Sequence, residues 1–178
     1  MHWTLQIGGA SGARKGTALP KGYWQPGLAG LLSGVVFFML SVLTFYVLGV
    51  VPGLLFNPEI QSPKVIAVVQ ALQPPPLMQR APYIVFAAWT VTLIGYSYLF
   101  HHIRPLWPQR YWSCLWRLAL MIWFFSLLFF QFQGPLNLLD EPLSLFALEL
   151  LFWAICAGGA AAVIVAVLRS KRGNVNSQ

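Results

Sequence analysis

The stretch LAGLLSGVVFFMLSVLTFYVLGVV, Leu28 to Val51, runs for 24 residues without one charged side chain. Pro26 and Gly27 stand before it, and Pro52 and Gly53 after it. A helix rises about 1.5 Å per residue, so roughly 20 apolar residues cross a hydrocarbon layer about 30 Å thick. Leu28–Val51 is therefore read as a transmembrane helix. It is longer than the core of a cleavable signal peptide, about 7–15 residues, and is expected to be retained.

Three later stretches have the same character: Pro82 to Phe100, Tyr111 to Phe130, and Leu143 to Leu168. Pro105 and Pro108 separate the second from the third, and Gly134 and Pro135 are expected to end the third. Hydrocarbon offers backbone N–H and C=O groups no water, so each stretch must close its hydrogen bonds within a helix. The expected fold is all-α, a polytopic four-transmembrane-helix bundle.

Composition points the same way. Of 178 residues 58% are hydrophobic and 8% charged, against about a quarter charged in ordinary soluble domains. A net charge of +7 could suggest nucleic acid, but the cations form short clusters flanking apolar runs rather than a basic stripe. No nucleic-acid partner is expected; the bilayer is. Cys114 and Cys156 both lie in apolar stretches without a CxxC pair, which gives no disulfide framework.

Lysine and arginine collect on the cytoplasmic side of membrane proteins. Arg14, Lys15, Lys21, Arg104, Arg110, Arg169, Lys171 and Arg172 fall on one side of the expected topology, and only Lys64 and Arg80 on the other. Both termini are thus expected in the cytoplasm, in a bacterial inner membrane. The expected organisation is a cytoplasmic tail over residues 1–27, the four-helix domain over 28–168 and a second tail over 169–178.

In the first outer loop, KVIAVVQALQ places Val65, Val68, Val69 and Leu72 on one helical face before Pro74 to Pro76 stop it. It is read as a short amphipathic helix on the membrane surface, with a lid over a cavity as the alternative. Small residues mark the faces on which membrane helices approach closely. Gly30 and Gly34 form such a face on the first span, and Ala154, Gly158 and Ala162 on the fourth. These two faces are expected to meet within the chain, with self-association or another membrane protein as the alternative. Ala88, Thr92 and Gly95 form a weaker third face.

Two ionisable groups lie within the spans, Arg117 and Glu149. Arg117 is close enough to its helix end to snorkel among Trp107, Trp112 and Trp116. Glu149 is the candidate functional polar site. With the fourth helix starting near Asp140, it lies a little over two turns in, to be protonated in an apolar site, hydrogen-bonded to Ser126, Gln131 or Thr44, or placed in a wet cavity opening outward. A proton or cation pathway normally uses several such groups, and the spans offer no second carboxylate. His101 and His102 are consecutive and point about 100° apart on a helix, without convergent partners for haem or zinc. No metal, cofactor or catalytic residue is expected, and no catalytic motif stands in the chain.

The glycine-rich entry GLAGLLSG, the proline-rich outer loop and the small-residue helix AICAGGAAAVIVAVL give the chain a layout that resembles small four-helix bacterial integral membrane proteins of unknown function. The resemblance carries over no site residue. The expected role is noncatalytic, an accessory or interaction subunit. The alternative is a small transporter or channel-like protein with an outward-facing cavity near Glu149.

Overall fold

The computed structural model describes residues 24–50 and 52–169. The elements among these residues are all helices, with no strand. Four helices are long and apolar enough to cross a bilayer: Trp24–Val50, Pro82–Leu106, Tyr111–Leu138 and Leu143–Arg169. Phe125 and Phe129 on the third span are each 66% exposed, and Leu143 on the fourth 72%. Apolar side chains so placed along helices of spanning length belong in lipid, and the protein is a multi-pass integral membrane protein.

The spans differ from the expected ones mainly at their ends. The first begins at Trp24, so the expected boundary at residue 27 falls in its first turn, where the missing N–H of Pro26 leaves no bond unmade. Both tails otherwise lie outside the described residues. The third span does not stop at Gly134 and Pro135 but continues to Leu138. Its Phe132–Leu138 segment winds with the wider turn of a π-helix. That turn moves aside the carbonyl that the Pro135 ring would strike. The fourth span begins at Leu143, not near Asp140. Between the first two spans, a short helix Pro63–Ile66 continues as one wide turn, Ala67–Ala71. Ser62 caps it by accepting from the Lys64 N–H, with Pro63 at its first position.

The spans do not pack in chain order. The first lies between the second and the fourth, and the third packs on the fourth, giving the spatial order second, first, fourth, third. Phe37 and Phe45 of the first span, Trp89 of the second and Trp153 of the fourth meet at the centre. Their ring centroids stand 4.5 Å apart for Phe45 and Trp153, and 5.1 Å for Phe37 and Trp89. The third span is tied to the fourth where Trp123 Nε1 donates to the Leu150 carbonyl at 3.0 Å.

The second and third spans pack on each other only weakly, although the Tyr96 and Ser126 hydroxyls bond across the seam at 2.8 Å. The seam holds an open groove of about 340 Å³, lined among others by Ala88, Trp89, Thr92 and Ser126.

The connection Arg104–Arg110 closes the other end of the fourth span. A helix leaves its last four carbonyls without intrahelical partners. Arg104 Nη1 donates to one of them, Leu168 O, at 2.6 Å. Arg169 donates in turn to Gln109 O and lies over the Tyr111 ring. Arg117 sits against Trp107 and Trp116, with its guanidinium carbon 6.0 and 5.6 Å from the ring centroids.

Candidate functional site

All four carboxylates of the chain, Glu59, Asp140, Glu141 and Glu149, belong to the opposite, acidic end. The turn between the third and fourth spans places two of them. Asp140 takes φ +51°, a left-handed conformation that aspartate tolerates better than most residues. The chain reverses there, and the Glu141 N–H donates to the Pro135 carbonyl at 3.0 Å. Asp140 is left at the surface, paired with Lys64 of the loop helix. Glu141, the next residue, is turned inward and is 4% exposed.

The loop from the first span supplies its partner. Gln61 is buried, and its Nε2 donates to Glu141 Oε1 and to the Leu55 carbonyl, each at 2.9 Å. Its Oε1 accepts from the Ser62 N–H. The Ser62 hydroxyl donates across the same junction to the Leu139 carbonyl. The loop of the first two spans is thus fastened to the turn between the last two by an amide, a hydroxyl and a surface ion pair.

Glu149 completes the cluster from the fourth span. Six residues beyond the observed helix start, it lies about 9 Å along the axis, shallower than a start near Asp140 implied. It is half-buried. Gln131 of the third span, itself 2% exposed, donates Nε2 to Glu149 Oε2. Of the expected partners, Ser126 instead bonds Tyr96, and Thr44 donates to the Leu40 carbonyl and contacts Cys156 Sγ at 3.8 Å. The spans hold no second carboxylate, but that of Glu141 neighbours Glu149 from the turn outside them. Burial pushes the Glu141 carboxyl above the usual carboxylate range, against the opposing pull of the Gln61 hydrogen bond.

The small-residue faces do not meet as expected. A methyl at Gly30 would overlap the Ile94 Cα, and one at Gly34 would come within 2.6 Å of the Thr90 hydroxyl, so both glycines face the second span. On the fourth span the close approach is at Gly159, against Leu40 and Val36 of the first. Ala154 is exposed, Gly158 looks onto open space and Ala162 is only partly covered. Spacing fixes which residues share a helix face; it does not fix which neighbour that face meets. Gly95 also meets nothing, and Ala88 and Thr92 are exposed along the seam.

His101 and His102 are exposed in the last turns of the second span, ring centroids 5.6 Å apart. Among the described residues no three His, Cys, Asp or Glu side chains group as metal ligands. The chain matches no known protein family, curated protein or solved structure.

Gln61 and Glu141 are the site residues that sequence reading misses. The signal available was slight: an acidic pair directly before Pro142 and a lone amide before a helix cap. Nothing in local spacing joins positions 80 residues apart.

Proposed function

We propose that the protein works by association within the membrane, as a noncatalytic accessory or interaction subunit and not as a conduit. The observation that carries this reading is the interior. The spans meet through aromatic rings, and the hydroxyls of Ser33, Ser41, Thr44 and Thr90 donate back to carbonyls of their own helices. Each of these hydroxyl protons is spent within its own helix, which leaves none of them to donate along a chain of waters. Within the spans the two ionisable groups, Arg117 and Glu149, lie towards opposite ends, so no line of charged groups joins the two sides. The cation bias supports an orientation with the arginine-rich end in the cytoplasm, and a bacterial inner membrane fits that arrangement.

The transport reading draws on one observation, the half-buried Glu149 beside Glu141. Two measurements on the full chain separate the readings. Native mass spectrometry from mild detergent is expected to show a particle heavier than one chain, by a second copy or a stoichiometric partner. Proteoliposomes under a pH or cation gradient are expected to leak no faster than empty liposomes. A strictly monomeric particle with gradient-driven flux that Glu149→Gln abolishes would overturn the proposal.

A further inference from the structure

The donors at the acidic cluster can be counted. Gln61 Nε2 is taken by Glu141 Oε1 and Leu55 O, Gln131 Nε2 serves Glu149 Oε2, and the Ser62 hydroxyl serves Leu139 O. Lys64 is held at the surface by Asp140. Glu141 Oε2 is left buried with no N–H or O–H donor reaching it, in a residue 4% exposed. A buried acceptor without a donor is costly, and a buried carboxylate oxygen more so. The neighbouring polar group is the Glu149 carboxyl. Two ionised carboxylates have no hydrogen to share; one proton between them turns a repulsive contact into a charge-assisted hydrogen bond.

We propose that Glu141 and Glu149 bind a single shared proton, and that this proton latches the 55–66 segment onto the head of the fourth span. The proton comes from water at the acidic end. It sits on Glu149 and is donated to Glu141 Oε2, while Gln131 holds the other Glu149 oxygen. Glu141 is thereby free to keep its Oε1 for Gln61, the contact that holds the loop down. When the proton leaves, two negative charges face each other in a poorly solvated site. The least costly relief is for Glu141 to swing to water, which releases Gln61 and with it the cap at Ser62. The other charged groups on the packed elements are Glu59, Lys64, Asp140 and Arg80; Glu59 is exposed, and Lys64 and Asp140 neutralise each other at the surface. The third span adds only uncharged Gln131 here, and the first span no ionised group.

The direction with pH follows from linkage. The pair binds its one proton more readily in the closed form, where Glu141 is 4% exposed, than in an open, hydrated one. The latch is therefore fully made below the ordinary carboxylate range and weakens as pH rises through the raised value. One proton lost per opening makes the open-to-closed ratio rise by up to about tenfold per pH unit.

The test is a distance titration on the full chain in lipid nanodiscs. Spin labels at Ala67→Cys on the loop helix and Leu138→Cys at the end of the third span occupy exposed positions; Cys114 and Cys156 are replaced by alanine. A single short distance is expected at pH 4, with a longer population growing towards pH 9. In Glu149→Gln the carboxamide supplies a permanent N–H to Glu141 Oε2, so the short distance is expected at every pH. Glu141→Gln, which can donate to Glu149 in the same way, should also abolish the pH dependence. A wild-type distance that ignores pH would overturn the proposal, as would a Glu149→Gln protein that titrates like wild type. So would a distance that follows sodium or potassium concentration at fixed pH, since that assigns the pair to a cation.

Discussion

Gly30→Leu is expected to prise the first span off the second and to cost more than about 3 kcal/mol of folding free energy, with Gly30→Ala costing about 1–2 kcal/mol. The reason lies in what a side chain would meet. At Gly30 the obstacles are the Ile94 Cα and N, backbone atoms that cannot turn aside as a side-chain tip can. Alanine's better helix propensity, about 1 kcal/mol over glycine, recovers only part of the cost. At Gly158 and Gly95 an added methyl meets nothing. There the propensity gain stands alone, so Gly158→Ala and Gly95→Ala should be neutral or slightly stabilising. Steric-trapping measurements of unfolding in bicelles read all four variants on one scale. A cost for Gly158→Ala equal to that for Gly30→Ala would mean that the fourth span turns another face to the bundle.

Trp153→Ala is expected to lose about 3 kcal/mol, near the lower end of the range for removing large aromatics from soluble cores. Trp153 is 8% exposed and its ring contacts Phe37, Phe45 and Trp89, so its loss opens a void shared by three spans. The loss is of packing and not of transfer from water, because the separated helices would still sit in lipid. Trp153→Phe provides the sharper comparison. The Trp153 Nε1 is buried without a hydrogen-bond partner, so replacing indole by phenyl keeps most of the stacking and removes an unsatisfied donor. That variant should stay within about 1 kcal/mol of wild type. Phe125→Ala, at a side chain 66% exposed, should change stability by no more than about 1 kcal/mol.

Span number and type are local properties, and the sequence displays them openly: 24 uncharged residues between prolines and glycines admit one reading in a bilayer. The ends are less visible, because a proline that stops an ordinary α-helix does not stop one that has widened its turn, as at Pro135. Packing is less visible still. Gly30 and Gly34 announce a close approach by their spacing, yet their neighbour is Ile94 and Thr90 of the second span and not the alanine-rich fourth. The fourth span's own close contact, Gly159, lies one residue from the expected stripe, about 100° around the helix. Glu149 stands out as an intramembrane carboxylate, and Gln131 was among its expected partners. Glu141 does not stand out, because a left-handed turn at Asp140 decides that it points inward while its neighbour points out.

Cys156 is a native probe of the dry interior on which the proposed role rests. Its side chain is fully buried at mid-span, against Thr44. In a Cys114→Ala protein reconstituted in vesicles, the rate at which Cys156 reacts with a charged methanethiosulfonate added to either side measures water in the core. An interior closed by aromatic packing predicts no reaction on either side until the protein is unfolded. Stoichiometric labelling of the folded protein from the aqueous phase would contradict it, and would restore a water-filled path between the ends of the spans.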